Sequence, residues 1–199
     1  DFIFFTSQIL KVGNLNETSI EIKKWDGRYQ VCIDSIVFSG KVASFNTMAY
    51  CKITKEVVIS TSTNSLGICN SDPLQVQKSL TSITSLIGNI YKITGNQWVT
   101  TNYKGEISLL SLTGTVKQNI LYRNGINLPI LSKLSKDTQH IYFSSFNTSK
   151  GIKKLSLIDK SVSDVFITDT VINDFILNSN NDLLAYQFGK AHFDRGRRS

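Results

Sequence analysis

The chain holds two histidines, three cysteines and a scatter of serines and carboxylates, and these are the residues that could do chemistry. His140 lies between Gln139 and Ile141 in a strand-like run, where a half-exposed strand position is expected. His192 falls in a polar C-terminal tail. Two histidines with no clustered cysteine leave little for a metal site. Ser82 and Ser85 belong to a Ser/Thr-rich stretch. No G-x-S-x-G elbow and no suitable S-x-x-K pair occurs, so a nucleophilic serine is not signalled. Asp174 and Asp182 read as turn or channel-mouth residues, and no paired carboxylates recur at a spacing that aims them at one point. Gly95-Asn96-Gln97 is a turn signal, and no G-x-x-x-x-G-K-[ST] phosphate cradle is present. We therefore expect no catalytic, cofactor-binding or metal-ligating residues and no cofactor.

Cys32, Cys51 and Cys69 are odd in number, lie 19 and 18 residues apart and form no C-x-x-C. Each sits among apolar neighbours, so buried free thiols and a reducing, intracellular setting are expected. A Cys32–Cys69 or Cys51–Cys69 disulfide stays open. The sequons at Asn16 and Asn147 carry little weight in a chain rich in Asn and Thr.

The elements that must position any site are strands. With 41% hydrophobic residues, eleven Phe and seven Tyr in 199 residues, the chain has the material for a folded core. No apolar run approaches the roughly 18 residues of a membrane-spanning helix. Runs of five to eight β-branched and aromatic residues are cut by Gly, Asn, Asp and Lys-Gly turns. Only Leu74 to Leu86 has helical spacing, and its Ser and Thr residues favour extended or turn states.

The runs recur. Corresponding strands begin at Glu56, Gln97, Gln139 and Asp182, at intervals of 41, 42 and 43 residues. A period near 40 to 45 with four strands in each copy is what a β-propeller blade requires, and a blade buries both faces only against its neighbours. Ser35 to Phe38, Ile83 to Ile87, Leu128 to Leu131 and Val171 to Leu177 are expected to be innermost strands. Ser39 to Lys55, with its own strand-like piece Met48 to Ile53, is expected to be an insertion or an extra hairpin. Ile107, Leu109, Phe143, Leu155, Leu157, Leu184 and Tyr186 are expected in the buried sheets.

At Trp25-Asp26, which follows the strand Ser19 to Lys24, the chain resembles the WD40-type β-propeller family. The likeness spans roughly residues 1 to 190 and rests on the spacing, the turns and that one dipeptide. Asn70, Thr113-Gly114 and Ile158-Asp159 stand at the equivalent places, and no Gly-His pair opens a blade. The resemblance implies an all-β array of about four four-stranded blades, an incomplete ring, over 1–190. Residues 191–199 are expected to be a basic, mobile tail. The resemblance also implies membership of a multiprotein assembly.

The formal net charge of +7 invites acidic or phosphate-bearing partners, but the lysines are scattered as solvated strand positions would be. Nucleic acid is a weakly supported partner, because no aromatic-rich basic motif occurs. The expected function is a non-catalytic protein–protein interaction scaffold that contacts other proteins of a larger complex. The alternative is a secreted or surface propeller that binds glycan or hydrolyses a substrate with groups spread over several blades. Closed rings of this kind commonly hold roughly six to eight blades, so the sequence reads as a piece of a longer chain or of an assembly.

Overall fold

The computed structural model describes residues 2–10, 18–29, 31–38, 45–83, 85–111, 117–125, 130–145, 151–168, 172, 174–178, 180 and 183–186. Among these the chain is all β. Every described sheet is an antiparallel meander in which consecutive strands are neighbours. Such pairing follows from the short polar turns between the runs, since two to four residues suffice to reverse a strand.

The first sheet contains β1 (Phe2–Leu10), β2 (Thr18–Asp26) and β3 (Val31–Phe38). The second contains β4 (Phe45–Cys51), β5 (Glu56–Thr61), β6 (Ser65–Ser71) and β7 (Leu74–Ser82). The third contains β8 (Ile87–Thr94), β9 (Gln97–Asn102), β10 (Glu106–Ser111) and β11 (Lys117–Arg123). The fourth contains β12 (Ile130–Leu134), β13 (His140–Ser145), β14 (Gly151–Ser156) and β15 (Val162–Ile167). β16 (Asp174–Leu177) and β17 (Leu183–Tyr186) form the last sheet. The four expected repeat starts coincide with β5, β9, β13 and β17 to within a residue.

Two expectations about the first strands fail. Ser35 to Phe38 is not an innermost strand: it is the end of β3, the outer strand of the first sheet, paired with β2 through Ile20↔Phe38 and Ile22↔Ile36. Ser39 to Lys55 is not simply an insertion either, because it supplies β4, the first strand of the second sheet, paired with β5 through Met48↔Ile59 and Cys51↔Glu56. Likewise the third sheet opens at Ile87, after the run Ile83 to Leu86. The stretch from Leu74 is strand β7, as its Ser and Thr content favours.

The chain divides into two compact units, Asp1–Pro129 and Ile130–Ser199. In the first unit, alternation within β5 explains the packing. Val57 and Ile59 join Ile22 and Phe38 of the first sheet, with Cys69 and Leu74, in one cluster. Val58, which points the other way, joins Leu66, Ile68 and Cys51 with Ile87, Ile90, Trp98 and Leu110 of the third sheet. Successive side chains on a strand face opposite sides, so a strand buried from Val57 to Thr61 serves both neighbours. Each fully buried Ile, Leu or Phe contributes about 1.5–3 kcal/mol through removal from water. Gly67 marks the closest approach, since a β-carbon there would lie 2.7 Å from the Phe38 ring. In the second unit, Ile152, Ile172 and Phe175 form a core with Leu131 and Tyr142 against it.

Of the residues expected inside, Ile107, Phe143 and Leu155 are buried. Leu109 and Leu157 are only half-buried. The side chains of Leu184 and Tyr186 lie outside the described residues, as does the tail at 191–199.

The pairing of each outer strand is irregular in the same way. Lys24↔Asp34 is followed by Trp25↔Cys32, leaving Ile33 over. Gln77, Leu121 and Val165 are the corresponding extra residues of β7, β11 and β15. Such β-bulges sharpen local twist.

Candidate interaction surfaces

Trp25 and Asp26 close β2. The Asp26 carboxylate accepts from the backbone N–H groups of Arg28 (2.8 Å) and Tyr29 (3.3 Å), which shapes the β2–β3 turn. The β14–β15 turn is built alike: Asp159 accepts from the N–H of Ser161 at 3.0 Å and from its hydroxyl at 2.8 Å. Hydrogen bonds from the Ser161 N–H, then from the Ser156 and Ser161 hydroxyls, hold the Asp159 carboxyl at about 2.

Not every lysine is solvated. Lys24 is buried; its ammonium donates to the Ser71 carbonyl at 2.6 Å and lies 3.4 Å from Asp72, tying β2 to the β6–β7 turn. On the same side Asp34 accepts from the Leu74 N–H at 3.1 Å. Lys92 is also drawn inward. Its ammonium lies 2.9 Å from Glu56 and 4.4 Å from the centre of the Trp98 ring. Thr54 donates to the same Glu56 oxygen at 2.7 Å. The buried Trp98 Nε1 has no acceptor, a cost the cation over its ring offsets in part.

The cysteines divide. All three are free, and Cys51 and Cys69 are buried as expected. Cys32 is exposed, because β3 is an outer strand rather than an inner one. Burial alone pushes the Cys69 thiol up to about 12. At Cys51 burial also raises the value, but hydrogen bonds from Thr54 and the Ile53 backbone, with the Lys92 charge, outweigh it and leave the thiol lowered.

The nearest approach to a catalytic grouping was not singled out by the sequence. Ser135, Asp137 and His140 meet in the β12–β13 turn. The Ser135 hydroxyl donates to Asp137 at 2.5 Å and accepts from the His140 backbone N–H at 2.9 Å. The His140 Nδ1 stands 3.7 Å from the other Asp137 oxygen. A nucleophilic serine hands its proton to an imidazole; here it is given to the carboxylate, so the trio acts as a turn brace. Asp137 is lowered chiefly by the Ser135 hydroxyl and the Gln139 N–H. Ser85 is buried and accepts from Asn102 at 2.5 Å, while Ser82 is exposed at the end of β7. Asp174 is exposed at the start of β16 and accepts from the Phe175 N–H. His192, Asp182 and both sequon asparagines lie outside the described residues. Among the described residues no group of three or more His, Cys, Asp or Glu could hold a metal ion. No helix among them is long and apolar enough to cross a membrane.

What remains is surface. The outer bulged strands β3, β7, β11 and β15 sit at sheet edges, and β3, β11 and β15 expose most of their length. β15 is exposed throughout and displays Val162, Val165, Phe166 and Ile167, the last 77% exposed, with Ile158 at 71% in the turn before it. β3 displays Val31, Ile33 and Val37. β11 is mostly polar, and the described side chains of β7 expose only Val76 among Gln75 and Gln77.

Antiparallel meanders that repeat near every 42 residues, packed face to face through shared cores within the first unit, define one architecture. The fold is a WD40-like β-propeller array. It is similar to the crystal structure of the Myceliophteria_thermophila Cps50 (Swd1) β-propeller domain, with a TM-score of 0.64 and 8% sequence identity, over 85% of this chain and 60% of that one. The chain thus spans three-fifths of the propeller domain it matches. No family model and no curated protein matches the sequence.

Proposed function

We propose that the chain is a non-catalytic protein–protein interaction scaffold, a propeller segment that works within a multiprotein assembly. The observation that carries this reading is β15: five large apolar side chains from Ile158 to Ile167 face solvent on one strand and its turn. Monomeric proteins rarely leave contiguous apolar patches uncovered, and such patches mark protein contact sites. A rigid array of sheets suits docking because the strands hold these side chains at fixed positions. Three free thiols fit a reducing compartment.

The test is co-purification. The protein, tagged and expressed in its native cells, is isolated beside a variant carrying Phe166→Lys and Ile167→Lys. The reading expects defined partner proteins with the first and their loss with the second, while the circular dichroism spectrum is unchanged. A wild-type protein that purifies alone at near-physiological concentration and salt overturns it.

A further inference from the structure

In the first unit one end of the sheets differs from the other. The β2–β3, β4–β5 and β6–β7 turns share an end, as the contact of Lys24 with Ser71 and the Ser71 N–H bond to the Lys55 carbonyl require. Two apolar side chains project there without cover: Ile53 is 92% exposed and Tyr29 is 69% exposed. Arg28, Lys52 and Lys55 are exposed beside them on the same turns. The acidic groups of this end are already engaged. Asp26 holds the backbone N–H groups of its own turn, Asp72 meets Lys24, and Glu56 meets Lys92 and Thr54. Among the described residues Arg28, Lys52 and Lys55 have no acidic partner. The described turns at the opposite end, 62–64 and 103–105, offer Ser62, Thr63, Asn64 and Tyr103 with Lys104, and Arg123 beside the second of them is already paired with Glu106.

The tips are fixed. Lys55 has a φ of 56°, a conformation that bulky residues rarely hold unless their surroundings impose it, and its carbonyl is bonded to Ser71 at 2.7 Å. An ordered tip loses little entropy when a partner settles on it.

We infer that this end of the first unit docks an acidic segment of a partner protein, one that carries an aliphatic or aromatic anchor for Ile53 and Tyr29 and carboxylates for Arg28, Lys52 and Lys55. The inference rests on the scaffold reading and adds a second surface with its own partner chemistry. Charge complementarity selects the acidic class, and the uncovered apolar tips favour a protein segment over a nucleic acid backbone, which would contact the cations alone.

The experiment uses the full chain and three fluorescent probes: a short peptide of Glu and Asp interrupted by Leu and Phe, the same peptide with Ser for Leu and Phe, and a single-stranded oligouridylate. Fluorescence anisotropy at low and physiological salt reads binding. The expected order is the apolar acidic peptide first, with about a tenfold loss or more in the double variant Lys52→Glu, Lys55→Glu and a smaller loss in Ile53→Ser. Lys104→Glu, at the other end, is expected to change nothing. The proposal is overturned if the peptide fails to bind the wild type, if Lys104→Glu weakens binding as much, or if the oligouridylate binds as tightly. Partners that still co-purify through β15 in any of these cases leave the scaffold reading standing.

Discussion

β11 and β15 occupy the same place in successive repeats. Each is the fourth strand of a four-stranded meander, each is an edge, and each carries one extra residue against its partner. Their chemistry differs. β11 reads Lys-Gln-Asn-Ile-Leu-Tyr-Arg, whereas β15 reads Val-Ser-Asp-Val-Phe-Ile. Since β11 shows that the position tolerates a polar, charged strand, the apolar surface of β15 is no requirement of the repeat. Under the scaffold reading proposed above, it serves docking rather than folding.

That contrast can be broken from the inside first. Trp98→Ala in the third sheet and Phe143→Ala in the fourth, both fully buried though at different places in the repeat, should each cost about 3–5 kcal/mol. Urea unfolding of the two variants checks this, and a mild loss in one would mean that its sheet closes poorly around that side chain. Gly67→Ala should cost less, about 1–3 kcal/mol, because the Phe38 ring must shift from its buried site. Lys24→Met should lower stability on the order of 1–3 kcal/mol, since the Ser71 carbonyl then loses its charged donor. A neutral Lys24→Met would show the tie to be dispensable.

At the surface the two strands should separate cleanly. Phe166→Lys on β15 and Ile120→Lys on β11 should each leave the urea midpoint within about 0.5 kcal/mol of wild type. Only the first should lower partner retention. Loss of partner in both would remove the distinction drawn between them.

The smallest effect concerns Asp159. Its folded carboxyl sits at about 2, below the ordinary carboxylate value, because Ser161 and Ser156 donate to the ionised form. A depressed carboxylate favours the folded state above its unfolded value near 4, and that contribution fades as pH falls toward about 2. Carbon-detected NMR titration should find its midpoint near there, and Asp159→Asn should flatten the acid limb slightly. A midpoint near 4 would show the turn to be open in solution.

The second strands were the legible part of the fold. Glu56 and Gln97 each open a run that is buried on both faces, and periodicity survives where both faces are covered. β3 was misleading for a physical reason. Val31, Ile33 and Val37 make it look like an inner strand, yet they face water. The same excess of apolar residues made β15 unremarkable as sequence, because hydrophobicity does not report which side of a sheet is covered. Lys24 was equally hidden. It sits beside Lys23 in the chain, and only the stacking of the second sheet on the first decides which of the two is enclosed. At the Ser135 turn residue type alone would suggest a catalytic trio, and only the hydrogen bonding shows how its members are joined.

The bulges carry one more consequence. Ile33, Gln77, Leu121 and Val165 each interrupt the outermost ladder of their sheet. A strand that added to such an edge would have to reproduce the interruption to keep its own hydrogen bonds, and a fibril would have to do so at every layer. β15 can therefore stay apolar without becoming a template for uncontrolled stacking. Whatever settles there must recognise side chains, since the backbone is not offered as an unbroken row.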